Sequence, residues 1–515
     1  MSIYFVDSVT GLDTNNGLSP ESAFKSFEKI NGMKLSPGDK ILLKRDCVFN
    51  DHLLVKDSGT EFEPIEISVY GAGIKKPAVK TEDGSEFAVA ITGEYVRLDG
   101  LEISNTKGMY GVMLKSALHG ATRGVSVTSC YIHDVWTVNN LGPRDRAPQT
   151  PWHHHAGGIS VETNREAPTW YEDLRIENNF IENVNRTGIW LGGQWFNRFK
   201  NSFPWVTNKA DGMNDPWYPH KNVCISWNTV DYAHGDGIIG IGCRKLLMEH
   251  NRVYYANCMS RAGCCNAGLW SMCCDGAVIQ YNEVAHTGLE YGGDGEGFDI
   301  DNCSNNTVVQ YNYSHDNEGG FMLICNIVCN SKESHRDNIV RNNLSVNDAC
   351  KRDSALFNFT GAMHRVSVLN NTVYTSVGNR YRFLQVADYA NKGIPQAVLF
   401  GNNLFYSAHT NNWNCFMANG KFVFDSNLMY NMPSLPEKEN IIEADNAYNV
   451  NPAIRGDGDA PVTRLEATAF LPEWNSPLLR MGKHFDGCAD EDYFGLDTKG
   501  HNYIGAFYYK DANIG

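Results

Sequence analysis

Residues 294 to 325 read Asp294-Gly-Glu-Gly-Phe-Asp-Ile-Asp301 followed by NCSNNTVVQYNYSHDNEGGFMLIC. Two short apolar strands, EGFDID and GGFMLIC, bracket an apolar-x-Asn-x-apolar phrase centred on Asn312. In a strand, positions i and i+2 share a face, so Asp299 and Asp301 are expected to point the same way. Two carboxylates held side by side by the backbone are the minimum equipment for acid and base, or acid and nucleophile, chemistry at an acetal carbon.

Outward from this stretch the same phrases return. Asn179, Asn228, Asn251, Asn282, Asn312, Asn343, Asn371, Asn403 and Asn427 each sit in the Asn phrase, at steps of 23 to 32 residues after a first step of 49 that must contain an insertion. That period marks a repeat architecture. Between the Asn phrases lie strands that begin with a small residue: GGISVE, TGIWLGG, DGIIGIG, AGLWSM, EGFDID, GGFMLIC and SALFNF. Short strands divided by Gly, Asn, Asp and Ser, without amphipathic helical runs, predict an all-β chain. A turn of this length with two or three strands is one coil of a parallel β-helix, a solenoid in which a stacked Asn bonds its counterpart one coil along. The Asn series is therefore read as structural.

Aligning the second strands predicts which side chains face out. With Ile159, Ile189, Ile238, Leu269, Phe298 and Phe321 inward, the outward series is Ser160, Trp190, Ile239, Trp270, Asp299 and Met322. The next outward series is Glu162, Gly192, Ile241, Met272, Asp301 and Ile324. Coils stack ~4.8 Å apart, which sets Trp270 one rung from Asp299. An indole face beside carboxylates suits a sugar, whose CH groups stack on the ring. Trp270 and Trp190 are accordingly substrate-binding candidates, as is Glu162.

Further acids precede the strands: Asp236, Asp294 and Glu296, with Glu318 leading into the following one. Clustered carboxylates raise one another's pKa, which keeps one protonated for donation. Glu318 joins Asp299 and Asp301 as a catalytic candidate, and Asp236, Asp294 and Glu296 as positioning or substrate-binding ones. Calcium could use such oxygens, but no EF-hand spacing supports it, so no cofactor is expected. Residues 136–156 and 194–221 interrupt the repeat and are rich in Trp, Pro, Asn and His. Insertions of this length usually carry function, here as a wall above the outward face. They contribute His154, His155 and Trp217 as substrate contacts, with Trp152, Trp195 and Trp205 as further sugar platforms. Consecutive histidines 153 to 155 lack HxH or HxxxH spacing, so no metal is expected there.

Net charge is -15, which tilts the partners away from nucleic acid, anionic membrane surfaces and heavily sulfated or uronate-rich polymers; the expected partner is an oligosaccharide or polysaccharide substrate. The start, MSIYFVD, lacks a basic and apolar leader, and 15 cysteines suit a reducing space, so a cytoplasmic location is expected, or a secreted one if a signal peptide has been removed. Residues 1–90 are assigned to an N-terminal cap and first coils, 91–435 to the solenoid with the site, and 436–515 to a tail that packs on its end.

The opening YFVDSVTGLDTNNGLSPESAFKSFEKIN, the following LSPGDKILLKRDCVF and the stretch from Asp294 to Cys325 resemble bacterial carbohydrate-active right-handed parallel β-helix proteins. The likeness is nearest to glycoside hydrolase family 141, which includes α-L-fucosidase and xylanase activities, and more distant to the β-xylosidases of family 120. Family 120 has an Asp nucleophile at the outward end of a similar strand, a role that the resemblance places on Asp301. Its acid/base Glu has no counterpart here, where Leu323 and Ile324 stand. The expected activity is removal of terminal sugars from oligosaccharides by paired carboxylates. Alternatives are a polysaccharide lyase acting on uronates, disfavoured by the lack of Lys or Arg at the aligned outward positions near Asp299, and a non-catalytic glycan-binding β-helix.

Overall fold

The computed structural model describes the chain apart from residues 117–118, 137–154, 200–216, 259–265, 290–293, 330, 332, 352, 377–381, 388–392, 410–413, 418–419, 457–463 and 510–515. It is a parallel β-helix, as the repeat predicts. Two compact units divide it: Met1–Asn197 with Phe203–Leu247 and Asn251–Cys264, and Arg198–Ser202 with Met248–His250 and Cys265–Gly515.

In the first unit, strands Tyr110–Lys115, Gly157–Glu162, Thr187–Leu191 and Ile238–Ile241 pair in parallel and in sequence. Ile159, Ile189 and Ile238 align in one row, and Ser160, Trp190 and Ile239 in the other, as the alternation requires, and both rows are buried. The small residue opening these strands has a steric reason. A Cβ on Gly158 or Gly188 would lie 2.6 or 2.5 Å from a methyl of Ile181 or Val230 on an inner strand.

In the second unit, Leu269–Met272, Glu296–Asp301, Gly320–Asn326, Ala355–Gly361 and Arg382–Ala387 continue the same pattern. Its interior is aromatic, with Phe321 and Phe357 edge to face at 5.6 Å and Phe357 and Phe383 at 5.9 Å.

The Asn series forms a hydrogen-bonded ladder inside each unit. Asn179 donates its side-chain amide to Asn228 at 2.9 Å and Asn228 to Asn251 at 3.0 Å. Asn282 donates to Asn312, Asn312 to Asn343, Asn343 to Asn371, Asn371 to Asn403 and Asn403 to Asn427, all at 2.9 to 3.0 Å. Each also bonds backbone of a neighbouring coil, so a buried amide is satisfied on both ends.

Coil structure runs past residue 435. Ile441–Ala444 pairs with Phe422–Asp425, Ala447–Tyr448 pairs with Leu428–Tyr430, and Asn446 accepts from Asn427 at 2.9 Å. The flanks of Asn446 are Asp and Ala, so the apolar phrase misses it. The remaining tail packs Phe470, Leu471, Tyr493 and Phe507 against Tyr313, Leu344, Val346 and Tyr374.

Candidate active site

The Glu296–Asp301 strand holds its acids in a definite register. Trp270 pairs with Asp299 and Met272 with Asp301 on the preceding coil, as the alignment predicts. On the following coil the alignment is wrong by one residue. Phe298 pairs with Met322 and Asp299 with Leu323, so Leu323 and then Cys325 face outward in place of Met322 and Ile324. The cause is the Gly319-Gly320 pair. Gly319 passes so close to the preceding coil that a Cβ there would be 2.1 Å from the Asp294 carbonyl, which sets Gly320 opposite Glu296. Phe321 is buried and meets Phe298 edge to face at 6.3 Å, while Ser314 and Asn317 fill the space beside Gly297.

Four carboxylates gather along this strand with unequal access to solvent. Asp299 is 4 % exposed and Glu296 1 %, whereas Asp294 and Asp301 are half-buried. Trp270 is 6 % exposed. The expectation of an open groove under both strand acids is thus corrected: Asp299 lies enclosed between Trp270 and Leu323, and Asp301 keeps solvent access.

Hydrogen bonds fix the accessible acid. Asn302 donates to Asp301 Oδ1, while the Asn302 Oδ1 accepts from the backbone N–H groups of Ile327 at 2.8 Å and Val328 at 3.2 Å. The Cys325 thiol bonds Asp301 too, and burial with the charges of Asp301, Asp299 and Asp294 pushes that thiol far up. One sulfur therefore feels three of the acids. Glu296 takes a hydrogen bond from the Asn358 amide at 3.3 Å, and burial, reinforced by the Asp294 charge, holds its carboxyl well above the usual carboxylate range. Asn302, Cys325 and Asn358 were not singled out from sequence. Asn358 follows from continuing the outward series one strand further, since it pairs with Leu323.

Other candidates have different surroundings. Glu318 accepts from the Leu289 backbone at 2.6 Å and pairs with Lys351 at 3.2 Å, so it clamps a turn. Asp236 is fully buried in the first unit, 3.7 Å from the Arg186 guanidinium, where no sugar reaches it. Trp190 is also buried, its indole over Gly192, so it does not form an open platform. Burial holds the Glu162 carboxyl up at about 7, beside Ser160 at 3.4 Å and His155 at 3.7 Å. His155 in turn meets the Tyr110 hydroxyl at 2.7 Å. Trp217 carries the Arg244 guanidinium 5.1 Å over its ring, and Trp195 donates to the Asn164 carbonyl at 2.8 Å, so both anchor their own segments. His154, Trp152 and Trp205 lie outside the described residues.

Comparison with known proteins agrees with this architecture. Residues 157–327 match the family model described as right handed beta helix region. The chain is 28% identical to lacto-N-biosidase of Bifidobacterium longum subsp. longum over 98% of its own length, and spans 36% of that protein. The solved GH136 lacto-N-biosidase of Eubacterium ramulus superposes with a TM-score of 0.57 at 24% identity, over 76% of this chain and 66% of that one. XylC, solved with xylose, superposes with a TM-score of 0.50 at 12% identity over 98% of both chains. The chain is a right-handed parallel β-helix similar to carbohydrate-active enzymes of bacteria.

Proposed function

We propose that the chain is a glycoside hydrolase acting on oligosaccharides, with Asp301 and Asp294 as the two reacting carboxylates. The observation that carries the reading is access: of four acids clustered at one strand, these two meet solvent, and Asp299 and Glu296 are nearly closed to it. Asp301 receives donors from Asn302 and Cys325, an environment suited to an ionised acceptor, so it takes the role of nucleophile or water-activating base. Asp294 then protonates the glycosidic oxygen. Asp299, enclosed beside Trp270, and Glu296 with Asn358 support the floor. This chemistry draws its acid and base from carboxylates and requires no metal. A lyase would need a cationic or phenolic base; Asp299 has Trp270, Leu323 and Asn358 along its row.

The names of the relatives guide the choice of sugar. A lacto-N-biose unit released from a glycan end is the first substrate, and a terminal xylose, from the likeness to XylC, is the second. The α-L-fucoside expected from the family 141 resemblance is the third. The buried thiols, Cys273 beside Cys303 and Cys303 beside Cys329, fit a reducing compartment and support the cytoplasmic reading.

A screen of aryl lacto-N-bioside, β-xyloside and α-L-fucoside, followed by assays of Asp301→Asn, Asp294→Asn and Asp299→Asn, tests this. Release of one sugar by wild type and a loss of about 10²- to 10⁴-fold in the first two variants is expected. If Asp299→Asn is crippled while Asp294→Asn keeps full activity, Asp299 is the partner of Asp301. An ultraviolet-absorbing unsaturated product from uronate polymers would replace hydrolysis with elimination.

A further inference from the structure

Two corners on adjacent coils of the second unit bring His286, His315 and Asp316 together, with one donor atom of each within 4.8 Å of the others. We propose that these three side chains bind one divalent transition-metal ion of the zinc type, at a site separate from the acids of the Glu296–Asp301 strand. The proposal stands independently of the hydrolase reading.

The backbone creates the convergence. Strands Glu283–Ala285 and Tyr313–His315 pair with Ala285 opposite His315, so the next residues, His286 and Asp316, occupy the same corner on successive coils. Both adopt the left-handed conformation, with φ of 59° and 54°. Consecutive side chains normally diverge in extended chain, but this turn swings the Asp316 carboxylate back to 2.8 Å from the His315 Nδ1. The His315 ring is fixed by stacking on Tyr313 at 4.4 Å, and its Nε2 lies 3.5 Å from Glu283 Oε1. The His286 ring meets that of His315 edge to face at 5.7 Å.

The first unit contains an internal control. Tyr131-Ile-His133-Asp134 repeats the Tyr-x-His-Asp corner, with the rings stacked at 4.3 Å, His133 2.8 Å from Asp134 and 3.4 Å from Glu102, and φ of 50° at Asp134. There the following coil supplies Asn183, whose amide nitrogen donates to Asp134, whereas His286 stands on the coil before Asp316. An amide N–H closes the corner but offers no lone pair to a cation. His286 supplies an imidazole, which does. Two imidazole nitrogens and one carboxylate supply three of the four donors of tetrahedral zinc, at about 2.0 to 2.2 Å per bond, and calcium would instead demand six to eight oxygens.

The test uses the full chain dialysed against chelator and titrated with Zn²⁺ by calorimetry. His286→Asn removes the imidazole, and Asn tolerates the left-handed backbone. Asp316→Asn is titrated in parallel, so a folding defect in one variant does not decide the result. Wild type should take up one equivalent of zinc, with affinity at least 100-fold weaker in both variants. Cobalt(II) should give a visible d–d band without the near-ultraviolet charge-transfer band of a thiolate ligand, because the chain also carries free cysteines such as the exposed Cys350. Absence of stoichiometric zinc in wild type, undiminished binding in the folded variants, or a thiolate band would each overturn the proposal and leave the cluster an ion-paired turn.

Discussion

Trp270 stands directly opposite Asp299 in the register of two adjacent parallel strands, and both are nearly closed to solvent. An indole one rung from a buried carboxylate lowers the local polarity and presents a flat face, two properties that a sugar-binding floor requires. Because the pairing is backbone-determined, the two side chains keep this relation whatever the outer segments do.

Replacing Trp270 with Phe retains a stacking face of smaller area, whereas Ala removes it. Ring contact is worth about 0.5–1.5 kcal/mol beyond area burial, so KM in Trp270→Phe should rise by several-fold with kcat little changed. Trp270→Ala should in addition lower the melting temperature, since emptying a buried aromatic site costs about 3–5 kcal/mol. Steady-state kinetics and thermal melts on the two variants check both parts.

Asp236 and Arg186 form a buried ion pair, and removing one partner of such a pair typically costs about 3–5 kcal/mol through the charge left behind. Asp236→Asn should therefore melt earlier while kcat/KM of the folded fraction stays near wild type. A selective loss of kcat/KM without a melting shift would restore the substrate role that sequence suggested.

Within the Asn ladder, position along the stack should set the penalty. Asn312 is fully buried and bonded to Asn282, Asn343 and backbone, so Asn312→Ala orphans several buried groups at about 1–3 kcal/mol each. Asn446 ends the ladder and is half-exposed, which lets water take over its bonds. Denaturant titration should show a clear midpoint shift for Asn312→Ala and a small one for Asn446→Ala.

His335 and His220 lie in the interior, and burial pulls their pKa values down to about 3 and about 4. Both are neutral in the folded chain and take up a proton on unfolding below about pH 6.5, so the unfolded state binds more protons in that window. Their contribution to stability is complete above pH 6.5 and is lost as pH falls toward 3 to 4. Carboxyls held up at about 7, Glu162 and Asp348, act in the opposite sense, losing stability as pH rises from about 4 to 7. The difference between wild type and His335→Leu isolates the histidine: the melting temperature should drop less between pH 7 and pH 5 in the variant.

Sequence by itself determined the solenoid, because a period of 23 to 32 residues, an Asn at each turn and a small residue ahead of each strand are local consequences of stacking coils. It also determined that Asp299 and Asp301 share a strand face, since alternation is a property of the backbone. Tertiary structure decided everything that depends on register between coils. The Gly319-Gly320 close approach moved Leu323 and Cys325 into the outward rows, and side chains from Asn302, Cys325 and Asn358 reached the acids from positions that no single phrase announces. It decided access as well: Asp299 was enclosed, Asp236 was claimed by Arg186 and Glu318 by Lys351, because burial is set by what neighbouring coils bring and not by the residue's own strand.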